Sequence, residues 1–166
     1  MTVPSAAEPT RRAFLGMGSN LGDRRAHLRR AVDQLRAGSV PAVTAVSQVY
    51  ETDPVGGPDD QGSYLNLVVE LEVPDGIDPY RLLEQCQRLE AAAGRVRTVR
   101  WGPRTLDVDV LWIDGITLDD SALTVPHPRW RERRFVLAPL AELAPDLVHG
   151  HDLETAGGEV RVVGSL

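Results

Sequence analysis

The chain has 166 residues and a net charge of −6, and all 18 of its basic residues are arginine. One domain of this length buries roughly 70% of the surface that its unfolded chain exposes, and the acidic balance argues against general nucleic-acid binding. Without lysine there is no Walker-type phosphate lysine, Schiff-base lysine or protein-kinase strand lysine, and with Cys86 as the single cysteine there is neither an internal disulfide nor a thiolate metal cage.

Residues 1–11, rich in Pro, Ala, Thr and charge, read as a disordered N-terminal arm, and 12–166 as a single domain. The first dozen residues hold no apolar run of signal-peptide length and no later stretch approaches a membrane span, so the expected location is cytoplasmic. Ala13–Gly18 predicts a short apolar strand, followed by a turn that ends in Asp23, a helix N-cap. Leu28, Ala31, Val32 and Leu35 then recur at helical spacing until Gly38. Gly16-x-Gly18-x-x-x-Gly22 is one residue too long for a dinucleotide fingerprint and lacks its closing acid; it reads as tight strand-to-helix geometry. A second strand is expected at about Val43–Thr52, then a mobile surface loop from Asp53 to Ser63. The alternation of Leu65, Leu67, Val69, Leu71 and Val73 with Asn66, Val68, Glu70 and Glu72 marks a third strand with one core face. Asp78-Pro79 starts a helix and Gly94 stops it, with Leu82, Cys86, Leu89 and Ala93 as its buried stripe. Gln87 and Glu90 are neighbours on a different face of that helix.

The next strand carries the chemistry. Leu106, Val108, Val110 and Trp112 alternate, which sends Asp107 and Asp109 together to the opposite face. Asp-x-Asp taken alone is most often a solvated polar face, but aspartate is depleted in strands and this pair follows a run of Arg95, Arg97, Arg100 and Arg104. Neighbouring carboxylates call for a neutralising cation, and oxygen ligands suit hard Mg²⁺; the arginines supply forks for phosphate. Together they fit a Mg²⁺–polyphosphate substrate. Asp114-Gly115 is then expected to turn this strand into a hairpin partner near Ile116–Leu118. Leu123–Pro128 is extended, a last helix falls within Arg134–Leu143 with Pro139 beginning or bending part of it, and the tail beyond Asp146 offers one strand at Val160–Val163. The order β-α-β-β-α-β predicts an α+β fold: a ferredoxin-like antiparallel sheet with helices packed on one face, an open face that carries the site, and C-terminal additions.

Arg100-Trp101-Gly102-Pro103-Arg104-Thr105-Leu106-Asp107-Val108-Asp109 resembles the signature of the 6-hydroxymethyl-7,8-dihydropterin pyrophosphokinases of folate biosynthesis. Gly16-Met17-Gly18-Ser19-Asn20-Leu21-Gly22, Tyr64-Leu65-Asn66 and Val125-Pro126-His127 resemble further parts of that family, over roughly Ala13 to Val148. The resemblance implies transfer of the β,γ-pyrophosphoryl group of ATP to the pterin hydroxymethyl, with release of AMP and with two Mg²⁺ ions. It implies metal binding by Asp107 and Asp109, and phosphate clamping by Arg95 and Arg104. Further phosphate contacts would come from Arg97, His127, Arg131 and Arg133. Gln87 and Glu90 would belong to the nucleotide site, and the backbone of Val110 and Thr124 would meet adenine. Tyr64 and Phe135 would sandwich the pterin ring, Asn66 would read its polar edge, Thr52 and Val55 would line its pocket, and Trp101 would close over the site in a mobile loop. The chain departs from the pattern at Thr98-Val99, where it is one residue shorter than relatives that carry a lysine there. The expected partners are the pterin and ATP, with no nucleic acid, no membrane and a monomeric state. A nonenzymatic nucleotide-sensing module and a two-metal phosphodiesterase or phosphatase are the competing readings, separable by product.

Overall fold

Two long strands, β1 (Thr10–Ser19) and β4 (Tyr64–Pro74), pair antiparallel from Thr10 opposite Pro74 to Ser19 opposite Leu65 in a computed structural model that describes residues 6–54, 61–94 and 105–166. Around them stand β2 (Ala42–Val46), β3 (Tyr50–Thr52), β5 (Asp107–Ile113) and β8 (Val160–Val162). They form a six-stranded sheet of order β5-β1-β4-β3-β8, with β2 also on β4, and every pairing is antiparallel. The architecture is mixed α/β.

The helices form where capping and periodicity agree. In α1 (Arg24–Ala37) the Asp23 side chain accepts from the Ala26 N–H at 3.0 Å, and Leu28, Ala31, Val32 and Leu35 are its buried stripe. In α2 (Pro79–Ala92) Asp78 accepts from the Tyr80 N–H at 3.1 Å, Pro79 takes the first helical position, and Gly94 ends the helix at φ +70, where only glycine is unstrained. Both helices pack on the face of the sheet that presents Ala13, Leu15 and Met17 of β1 and Leu65, Leu67, Val69, Leu71 and Val73 of β4. Cys86 is buried in that layer, and desolvation pushes its thiol well above the ordinary range, so it packs as a small apolar side chain.

Several expectations are corrected. The face expected to be open is partly covered: α1 and α2 share one face as expected, but α3 (Arg134–Leu143) lies on the opposite one, against Phe14, Val68 and Leu111, and Pro139 sits inside it without dividing it. Glu142 fixes α3 there, accepting from the Tyr50 hydroxyl and from the Gln48 N–H. β1 begins at Thr10 rather than Ala13, so Thr10 and Arg11 belong to the sheet and not to an arm; Arg11 is held by an ion pair with Asp75. The single strand expected at 43–52 is two, because at Ser47 the N–H still donates to the Val68 carbonyl at 2.9 Å but the side-chain hydroxyl, in place of the Ser47 carbonyl, accepts the Val68 N–H at 2.9 Å. Asp114-Gly115 does turn the chain, but β6 (Leu118–Asp119) pairs with β7 (Thr124–Val125) in a separate small sheet instead of returning along β5.

The strand with the two aspartates also differs from a plain alternation. Phe14 pairs with Trp112 and Leu15 with Val110, which leaves Leu111 as the extra residue of a β-bulge. Val108 and Val110 face α1 and α2, whereas Leu111 and Trp112 face α3, and Ile113 returns to the first layer. Trp112 therefore lies on the face opposite the one its spacing predicts. The Leu111 carbonyl, freed by the bulge, accepts the His127 N–H at 2.9 Å. Among the described residues no helix is long and apolar enough to cross a membrane.

Candidate active site

On the part of the second sheet face that α3 leaves uncovered lies a cavity of about 380 Å³. Its lining includes Thr52, Tyr64, Asn66, Asp107, Asp109, Arg133 and Phe135, drawn from β3, β4, β5 and the start of α3. These seven were all expected from the sequence, and the sheet brings them together.

The two carboxylates owe their openness to β1. Asp109 is paired with Gly16 and Asp107 with Gly18, so no neighbouring side chain stands beside them on that strand. Both glycines are needed for other reasons too. A Cβ at Gly18 would come 2.7 Å from the Asn66 Oδ1, and one at Gly16 would come 3.2 Å from a methyl group of the bulged Leu111. Gly16 and Gly18 thus serve the interior of the strand, while Gly22, at φ +70 just ahead of α1, makes the strand-to-helix turn that the spacing predicts. Asn66 is buried and its amide donates to the Thr52 hydroxyl at 2.9 Å, which holds the amide plane in place at the cavity.

The cationic side is contributed by the segment between β7 and α3. Arg133 is half-buried, with its guanidinium 5.6 Å from the centre of the Phe135 ring. Burial and then the charge of Arg129 lower its pKa, while Asp109 and Asp107 oppose that shift, so Arg133 lies within the field of both carboxylates. His127 accepts from the Arg129 N–H through Nδ1 at 3.2 Å. Burial first, then the charge of Arg133, hold it below the ordinary histidine range, so it is neutral at pH 7 and a hydrogen-bonding group rather than a fixed cation. Hydrogen-bond donors, a cation, a stacking surface and two carboxylates around one cavity suit a planar heteroaromatic molecule together with a metal-bound polyanion.

Other expected residues stand apart from the cavity lining. Glu90 is buried and its carboxylate accepts the Val108 N–H at 2.9 Å, which fastens α2 to the strand between the two aspartates. Gln87 is exposed on α2, Val110 is in the core layer, Thr124 is in the small β6–β7 sheet, and Arg131 is exposed with its guanidinium 4.9 Å from the centre of a Trp130 ring. Val55, Arg95, Arg97, Trp101 and Arg104 lie outside the described residues. The cavity also has members that sequence reasoning missed, among them Arg129, Glu132, Gly157 and Gly158. For Arg129 and Glu132 a signal existed, the charged run from Arg129 to Arg134; the two glycines stand far along the chain in a tail with no readable pattern.

With this geometry in view, similarity to known proteins is informative. A family model described as 7,8-dihydro-6-hydroxymethylpterin-pyrophosphokinase matches residues 14–145. The chain is 49% identical over 131 residues to the 2-amino-4-hydroxy-6-hydroxymethyldihydropteridine pyrophosphokinase of Bacillus subtilis (strain 168), covering 79% of this chain and 77% of that protein. It is 50% identical over 139 residues to the protein of the same name from Methylorubrum extorquens, covering 84% and 86%. Among solved structures, it resembles wild-type HPPK-DHPS of Plasmodium falciparum with pterin and p-hydroxybenzoate, with a TM-score of 0.62 and 16% identity, over 88% of this chain and 42% of that one. At that identity the likeness is one of fold, and this chain spans about two fifths of the longer protein.

Proposed function

The chain belongs to the 7,8-dihydro-6-hydroxymethylpterin-pyrophosphokinase family, and from that premise we propose that it transfers the β,γ-pyrophosphoryl group of ATP to the hydroxymethyl of 6-hydroxymethyl-7,8-dihydropterin, in folate biosynthesis. The observation that carries this reading is the opening of Asp107 and Asp109, side by side, into the same cavity that Tyr64, Asn66 and Phe135 line. A pterin ring fits between Tyr64 and Phe135 by offset stacking, and the Asn66 amide, oriented by Thr52, reads its polar edge. The hydroxymethyl oxygen then bonds to the β-phosphorus as the bond from that phosphorus to the oxygen of the α-phosphate breaks, so AMP departs and the hydroxyl proton is released.

Transfer of this kind needs positioning and charge neutralisation more than covalent help. Two oxygen ligands on one strand face fit Mg²⁺, which keeps waters and takes its remaining ligands from substrate phosphates. Asp107 and Asp109 would hold the ions, two in our reading, whose role when bound is to neutralise phosphate charge. Arg133 adds a fork toward the same phosphates, and we assign their clamping during transfer to Arg95 and Arg104. We also read the sheet order, with β2 and β3 together as one ferredoxin-like strand, as the βαββαβ topology, and we propose separately that the enzyme is monomeric and cytoplasmic.

Incubation with ATP, Mg²⁺ and the hydroxymethyl dihydropterin should yield AMP and pterin diphosphate in equal amounts. Orthophosphate as the nucleotide-derived product, or no pterin-dependent AMP, would overturn the assignment.

A further inference from the structure

Residues 146–166 lie beyond the family match, which ends at 145, yet Gly157 and Gly158 line the cavity. Three attachments bring them there. β8 pairs with β3 so that Val160 stands opposite Thr52, which carries the segment to the Thr52 side of the cavity. Gly157 then bridges to Arg133, donating its N–H to the Glu132 carbonyl at 3.1 Å and accepting the Arg134 N–H at 3.2 Å. Last, the Arg134 guanidinium donates to three carbonyls of one segment, those of Leu153 at 3.2 Å, Glu154 at 3.3 Å and Gly158 at 3.0 Å. Leu153 and Glu154 end the short helix α4 (Gly150–Thr155), whose last carbonyls lack intrahelical partners and favour a cation. Gly158 has φ +95, a conformation that glycine alone adopts without strain.

Resting on the pyrophosphokinase reading above, we propose that Arg134 is a positioning residue for the reaction, and that the Gly157–Gly158 backbone it fastens is a substrate-selecting wall of the pterin half of the cavity. Arg134 is not among the residues that line the cavity, but its neighbours Arg133 and Phe135 are, so its three bonds set the spacing between those side chains and the glycine wall. With no Cβ at either position the wall is bare backbone, which a planar ring approaches closely and a side chain would narrow. The pairing with Thr52 ties this wall to the ring-binding side of the site.

The test compares pterin and nucleotide binding in the full chain. Arg134→Met removes the donors and keeps an unbranched stem, whereas Arg134→Lys keeps a cation. With saturating Mg²⁺ and a nonhydrolysable ATP analogue, calorimetry should show the dissociation constant of 6-hydroxymethyl-7,8-dihydropterin rising about tenfold in Arg134→Met and recovering in part in Arg134→Lys, with the affinity for the analogue nearly unchanged. Gly157→Leu guards against a folding defect, because the nearest atom to a Cβ there, the Glu132 carbonyl oxygen, is at an ordinary 3.9 Å; this variant should fold and lose pterin affinity selectively. Unchanged pterin affinity in either folded variant, or an equal loss for pterin and nucleotide, would overturn the wall. A wild-type chain that binds the pterin but releases no AMP would overturn pyrophosphoryl transfer instead and leave the wall standing.

Discussion

Toward α1 and α2, the two long strands present an unbroken apolar layer: Ala13, Leu15 and Met17 beside Leu67, Val69 and Leu71. On their other face the same strands divide. Phe14 and Val68 meet α3, and a few residues along, Gly18 and Asn66 line the cavity with Asp107 and Asp109 of β5. Alternation makes this economy possible, since one strand supplies core to one side and chemistry to the other with no change of backbone path. The difference teaches where each kind of substitution should register: the helix face in stability, the cavity face in ligand binding and turnover.

The widest separation between the two faces should come from Asp107→Asn or Asp109→Asn. Turnover at saturating Mg²⁺ should fall by about 10³-fold, several kcal/mol of transition-state stabilisation, with the melting temperature little changed. Near-wild-type turnover in either variant would remove the metal assignment. The reciprocal experiment is Leu67→Ala, one residue along β4 from Asn66 and almost fully buried. It should cost about 2–5 kcal/mol of stability, or roughly 2–4 °C of melting temperature per kcal/mol, while pterin affinity in the folded fraction holds. Selective loss of pterin affinity there would break the division between the faces.

Within the cavity, Tyr64→Ala and Phe135→Ala sharpen the comparison by ligand. Each should weaken pterin binding by about 0.5–1.5 kcal/mol beyond the lost contact area and leave ATP binding nearly intact, measured by calorimetry. Equal losses for both ligands would mean that the ring sits elsewhere. The smallest expected effect concerns pH. Glu51 bonds to Arg161 and Arg24, both at 3.2 Å, and Arg161 is the leading cause that holds its carboxyl below the ordinary value of 4.5. A carboxyl lowered in the fold adds stability above its unfolded pKa and loses it as pH falls through the folded one. Glu51→Gln should therefore be slightly less stable at neutral pH and lose less on acidification below about pH 4.5; an acid unfolding curve parallel to that of wild type would exclude this linkage.

By itself the sequence determined what depends on near neighbours. Alternation identified β4 and its core face, Asp23 and Asp78 marked the helix starts, and spacing put Asp107 beside Asp109; each is a regularity written within a few residues, which local backbone geometry converts directly into a face or an end. Seven cavity residues were legible as well, through motifs that resemble a known family. What only the tertiary structure decided depends on pairing between distant segments. The bulge at Leu111 exists because β5 must match β1, and it turns Trp112 to the opposite face from the one its position in an alternating run predicts. The break at Ser47 answers to Val68, and the side of the sheet that α3 covers answers to Tyr50 and Glu142. Gly157 and Gly158 enter the cavity because β8 closes on β3 and Arg134 gathers the carbonyls of the tail. Such contacts join residues whose separation along the chain leaves no periodic trace, so their outcome is set by how the layers pack.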